Sequence, residues 1–445
     1  YNIPTHTSQH KGKTMKERPS KGHGGVMSAP QTAKVAMILL PTLLLISDAI
    51  CNTHCSAIPD NSTDMLSLLD FKRAIINDPR QALSSWNTGI SRCQWEGVKC
   101  SLTHPGRVTA LNLGGLGLSG PISPSLGNLT FLKSLNLSAN GFAGELPPFN
   151  RLHNLQRLVM RDNSLQGVIP NTLTNCSNLI HLDLSGNFLV GEIPHNIGFL
   201  SNLLSLVLFQ NNLTGRIPPS LGNISQQLKG MNLADNQLTG SSPDEIGQMP
   251  NLLGLVLSDN RLSGGIPLYN HSSLLLLDVG SNMLEKALTS DFGDNLPSLR
   301  TLMLGSNKLH GHIPASLGNI SELATLDLSS NNFIGQVPTS LGRLGMLSFL
   351  NLQANKLSSK DTQGWEFIGG LSNCSSLNVL GLAQNQLQGA IPNSIGKLST
   401  QLQELGLDEN ELSGPVPVNI GNLSALTVLD LSNNKLDGPI EGWVG

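Results

Sequence analysis

The chain is 445 residues long, enough for one large domain or two small ones, with 39% hydrophobic residues but only 4% aromatic and 13% charged. A formal net charge of −3 argues against a nucleic-acid binder, which would carry a basic patch. Its 46 glycines and 25 prolines, set among abundant Leu and Asn, point instead to a regularly punctuated repeat architecture.

In chain order, residues 1–26 open on Tyr1 and carry Lys11, Lys13, Lys16, Arg18 and Lys21 against Glu17. They read as an upstream or non-native extension ahead of a second start at Met27. Residues 27–49 read as a signal peptide: Lys34, the apolar run Val35 to Ile46, then the small-x-small site Ser47-Asp48-Ala49, with Cys55-Ser56-Ala57 as a second cleavage option. The run is shorter than the about 20 residues of a membrane span; an uncleaved anchor is the alternative. No later segment is long and apolar enough to cross a bilayer, so the sequence as given is expected to be secreted or to be the outer part of something longer.

Residues 58–106 are expected to cap the repeats, because a stacked array has a raw apolar end. Met65, Leu68, Leu69, Ile75 and Ile76 fall at helical spacing over 63–78. Thr63 or Asp64 can start that helix and Pro79 stops it.

From 107 to 445 the chain repeats. The frame LKSLNLSANGFAGELP at Leu132 returns as LIHLDLSGNFLVGEIP at Leu179 and LATLDLSSNNFIGQVP at Leu323. Frame asparagines run from Asn140 to Asn434 at intervals of 22 to 25 residues, with one of 30. This predicts about thirteen full repeats and a fourteenth cut off at Gly445. A degenerate repeat from Val108 precedes them, with Leu116 in the asparagine's place. In LxxLxL the last two leucines point the same way along a short strand and bury only against neighbouring repeats. The frame Asn both donates and accepts, so a column of asparagines can pair turn groups that would otherwise be buried alone. The Gly of LxGxIP supplies backbone freedom, and the Pro after it, as at Pro170 or Pro194, fixes an extended segment.

Cys176 and Cys374 lie on the outer side of distant repeats, on the order of 40 Å apart, and are expected to be buried free thiols. Cys51 and Cys55 leave with the signal peptide or pair near the cap. Acceptor sequons stand at Asn61, Asn128, Asn136, Asn175, Asn212, Asn223, Asn270, Asn319, Asn373 and Asn422. Asn136, inside a strand, is the weakest acceptor. No metal or cofactor site emerges. Asp291-Phe292-Gly293 spells a kinase tripeptide but lacks its phosphate loop, strand lysine and catalytic loop. Asp183, Asp278, Asp327 and Asp430 recur at one strand position and read as a solvated face.

Binding is expected on the strand residues between the buried leucines. Val159, Val207, Phe209, Val256, Met303 and Phe349 are apolar yet predicted to face water, and Arg157, Arg161 and Asp162 form a charged cluster. A peptide or protein ligand would lie between Arg157 and Phe349. The longer repeat at 346–375 inserts extra residues in Ser359 to Leu371. Its Trp365 and Phe367 are expected to pack that turn.

LxGxIP followed by xxLGNLxx, as in Gly311 to Ile320, resembles the plant-specific class of leucine-rich repeats over residues 64–445. That resemblance implies an α/β solenoid: a right-handed superhelix with a concave parallel β-sheet, outer 3₁₀ or helical turns and an N-terminal helical disulfide cap. Cys93-Gln-Trp-Glu-Gly-Val-Lys-Cys100 resembles the paired-cysteine cap of plant receptor ectodomains, which implies a Cys93–Cys100 disulfide and a Trp over the first repeat. The W-x-F insertion before Leu-x-Asn-Cys-Ser is similar to plant receptor kinases that perceive bacterial patterns. The family reading is therefore the ligand-sensing ectodomain of a defence receptor kinase. It implies a membrane span and a Ser/Thr kinase beyond Gly445, and a leucine-rich-repeat co-receptor kinase. A secreted inhibitor of a microbial cell-wall hydrolase and a non-functional receptor fragment are the alternatives.

Overall fold

The structure, a computed structural model, describes residues 63–224, 226–266, 271–359 and 362–439. The extension at 1–26, the signal peptide at 27–49 and the sequons at Asn61 and Asn270 lie outside the described residues.

One sheet of fifteen strands runs from Val98–Cys100 to Val428–Asp430. Its first two strands pair antiparallel, and each later repeat adds one parallel strand in register, leucine beside leucine, as Leu158 beside Leu182 and Leu302 beside Leu326. In most strands the central leucine and the apolar residue two later are buried, as with Leu135 and Leu137; in the last strand Leu429 and Leu431 are half-buried. A single repeat has nothing to cover these side chains; the next repeat supplies it. After the frame Asn, short second strands form four further sheets among the described residues, broken between Met283–Leu284 and His310–His312 among other places. Outer 3₁₀ turns such as Pro124–Asn128 and Ala315–Asn319 close the repeats.

The repeat residues do defined work. The LxGxIP glycines from Gly144 to Gly438 hold φ between 74° and 87°, a region L side chains avoid. The LGN glycine serves close approach instead: a Cβ on Gly318 would meet the Ser340 carbonyl oxygen at 2.2 Å. Each frame Asn ties two repeats together. Asn187 donates to the carbonyls of Met160, Leu184 and Ser185 at 3.0–3.1 Å, and its Oδ1 accepts the Leu165 N–H at 3.0 Å.

The cap helix α1 spans Thr63–Ala74 and stops short of the expected 78. The N–H groups of Ile76 and Asn77 turn to the Ser119 carbonyl, and Asp78 precedes Pro79, where helical backbone is disfavoured. Ile76 is consequently exposed, while Met65, Leu68 and Phe71 form the buried stripe. Phe71, Trp86 and Trp95 pack in a row, the two indoles stacked 5.4 Å apart. Cys93 and Cys100 are joined by a disulfide beside them.

Asp64 does not act merely as a helix start. Fully buried, it accepts from the Arg107 guanidinium at 3.0 and 3.1 Å and from the Val108 N–H at 2.8 Å. Arg107 also lies 4.1 Å over the Phe131 ring. In the long repeat a second helix, α2 (Glu366–Leu371), packs into the array. Trp365 and Phe367 stack on each other and are buried, and the indole N–H donates to the Gln388 carbonyl at 3.0 Å. Cys176 and Cys374 are buried free thiols, their pKa values pushed up by burial to about 12 and about 11.

Candidate ligand-binding surface

The side chains that alternate with the core leucines make the open face of the main sheet. Parallel pairing lines their third strand positions into one column. From Val159 to Asp327 that column reads Val159, Asp183, Val207, Asn232, Val256, Asp278, Met303, Asp327. Apolar and polar stations alternate strictly, one per strand.

The polar stations have a local task that the sequence reading missed. The side-chain Oδ1 of Asp183, Asn232, Asp278 and Asp327 accepts the N–H two residues on, at 2.9–3.1 Å, where the chain leaves the strand. They are Asx turns rather than a freely solvated face. Burial raises the pKa of Asp278 and of Asp327, and for Asp278 the neighbouring Asp259 and Asp327 add to the rise against its hydrogen bonds from Gly280 and Ser258. The recurrence of Asp or Asn two residues before a Ser, Ala or Gly was the available signal.

The apolar stations are less open than predicted. Val159 and Phe349 are 7% exposed and Val256 9%; only Val207, Phe209 and Met303 are half-buried. The prediction that all six face water is therefore corrected. Strands about 4.8 Å apart bring in-register side chains into lateral contact, and Phe349 stands between Thr325 and Val379. Arg157 is exposed and pairs in register with His181, whose pKa is lowered by burial and then by the Arg157 charge. Arg161 and Asp162 approach to 3.8 Å. Arg157, Val159 and Arg161 thus share one strand's open face, with Val207 and Phe209 two strands on.

The acceptor asparagines lie elsewhere. Asn128, Asn175, Asn223, Asn319, Asn373 and Asn422 are exposed on the outer turns, and Asn212 is exposed on a second strand. Asn136 sits on the sheet face, half-buried, its amide donating to Asn112 and its oxygen accepting from Ser138. At the outer-turn position, acceptors occupy every second repeat. The repeats between carry Arg151, Phe199, Gln248, Asn295, Arg343 and Lys397. From Asp183 to Asp327, each polar station follows in sequence an outer-turn position that bears an acceptor, as Asp183 follows Asn175 and Asp327 follows Asn319.

Among the described residues, no helix is long and apolar enough to cross a membrane. Family comparison matches the leucine-rich-repeat N-terminal domain at residues 61–101 and leucine-rich repeats at 297–357 and, among others, 154–176, 178–200 and 425–445. The LRR receptor-like serine/threonine-protein kinase EFR of Arabidopsis thaliana is 48% identical over 98 residues, 22% of this chain and 9% of that protein. The crystal structure of PEPR1–AtPEP1 superposes with a TM-score of 0.72 and 31% identity, over 84% of this chain and 55% of that one. The plant peptide hormone receptor RGFR1 in complex with RGF2 gives 0.62 and 33%, over 72% and 54%. The chain thus spans about half of the receptor structures it matches, and its matched segment a small fraction of the kinase. It belongs to the leucine-rich-repeat proteins, with a cap and repeats similar to those of plant receptor ectodomains.

Proposed function

We propose that this chain is the ligand-sensing part of a plant receptor-like kinase in defence signalling, exported through the secretory pathway. A peptide or protein ligand lies along the open face between Arg157 and Phe349, and a leucine-rich-repeat co-receptor kinase joins the complex. One observation carries the reading: the outer turns hold most acceptor asparagines, while the open face holds a column of apolar and polar stations and, among the described residues, the single sequon Asn136. Sugars placed on those turns leave the face accessible. The likeness to receptors solved with AtPEP1 and RGF2 supports a peptide as the ligand.

The test is to express the chain through the plant secretory pathway and pan it against a random peptide-display library. Selected peptides are expected to protect sheet amides between residues 157 and 303 from hydrogen exchange. The double substitution Arg157→Ala with Phe209→Ser is expected to weaken them at least tenfold. Protection confined to the outer turns, or selected peptides indifferent to the double substitution, overturns the reading.

A further inference from the structure

We infer that the alternating column on the open face selects a peptide held as a left-handed polyproline II helix, apolar at every third residue and basic rather than acidic between. This deepens the peptide-binding reading above and rests on it.

The argument is one of spacing. Val159, Val207, Val256 and Met303 occupy alternate strands of one in-register sheet. Strands about 4.8 Å apart put these stations about 9.6 Å apart. A polyproline II chain has three residues per turn and rises about 3.1 Å per residue, so one side returns every 9.3 Å or so. A β-strand returns after roughly 6.7 Å and loses step within one interval. An α-helix returns after two turns, about 10.8 Å, and is more than 3 Å astray over the three intervals to Met303. Polyproline II stays within about 1 Å over the same run.

Two further features agree. A polyproline II chain has no internal hydrogen bonds, so its amides are free to pair. Asp183, Asn232 and Asp278 lie midway between the apolar stations, and the residues two beyond them are Ser185, Ala234 and Gly280, small enough for a backbone to come close. Asp183 and Asp278, with Asp259 near Asp278, complement Lys or Arg rather than carboxylates. Because Val159 and Val256 are almost wholly buried, the seats are shallow. Shallow seats discriminate by period more than by side-chain size.

Two synthetic 12-residue peptides test this against the full chain. One repeats Leu-Pro-Lys four times; its isomer has the same composition with its four leucines set two residues apart. The three-spaced peptide is expected to bind at least tenfold more tightly. The double variant Val207→Asn with Met303→Asn is expected to bring it down to the isomer's level. That variant is built to fold, since Asn232 already fills the same column and bonds the N–H two residues on. Equal affinities, indifference to the double variant, or no binding of the three-spaced peptide overturns the inference. Library-selected peptides then separate the two readings. If they map to the face with a two-residue period or none, the polyproline II assignment falls and the receptor reading stands. If none maps to the face, both fall.

Discussion

At the scale of the residue, the frame asparagine is the member least open to exchange. In the middle of the array Asn187 satisfies four backbone groups from two repeats. Asn187→Ala takes one of two donors from each of the three carbonyls and leaves the buried Leu165 N–H without its acceptor, and is expected to cost about 2–3 kcal/mol. Amide hydrogen exchange should show faster opening in the repeats around Leu165 and Leu184 and little change near α1. The polar stations behave differently. Burial raises the Asp278 carboxyl above its ordinary pKa, so the folded chain binds that proton before the unfolded chain does. The charge therefore weakens the fold at neutral pH, and the penalty is relieved as pH falls through the raised value. Asp278→Asn keeps the bond to Gly280 and removes the charge. It should raise the thermal midpoint by about 2 °C at pH 7, with the gain shrinking as pH falls through the raised value and gone below the ordinary carboxylate range, where the aspartate is protonated in folded and unfolded chain alike; a gain that does not shrink with falling pH refutes the charge as cause. The chemistry of the frame Asn was legible in sequence because it depends on the repeat alone. The burial of Val159, Val256 and Phe349 was not, because it depends on which residue of the next repeat stands alongside.

At the scale of the element, the cap shows what spacing reveals and what it hides. The Cys93–Cys100 pair and the helix start were readable because local motifs mark them. The lock between Asp64 and Arg107 spans 43 residues of sequence and carries no motif. Arg107→Ala leaves the fully buried Asp64 without its cation and is expected to cost about 3–5 kcal/mol, the range for breaking a buried pair; Asp64→Ala is expected to cost less, because Arg107 is part-exposed and keeps its bond to Thr130. Limited proteolysis should then cut first between residues 75 and 107. The double variant is expected to be milder than either single loss added to the other, because neither charge is left buried alone. The helix end was misjudged for the same reason that Asp64 was overlooked. Apolar spacing continued to Ile76, but the backbone there was already committed to Ser119. The insertion at Ser359 to Leu371 was read correctly as a packed turn, since two large aromatic residues in a short extra loop have more to gain from burial than from water.

At the scale of the whole molecule, stability and recognition are both sums over neighbours. No repeat owns a core, and no strand owns the open face. The period of the frame asparagines announced the fold because any such period forces the same stacking. The ligand's chemistry is written one level up, in how successive repeats differ at a fixed position, and that level is visible only once register places those positions side by side.

Between Val159 and Asp327 the paired alternation of outer acceptors and inner stations gives the array a reading frame of two. Losing or gaining a single repeat would set two like stations next to each other and throw every seat beyond the change out of phase, although the leucine core would close without fault. A change by two repeats shortens or lengthens the surface and keeps its phase. A receptor built this way tolerates even steps in length as alterations of reach, while odd steps act as frameshifts of recognition in a chain whose translation is intact.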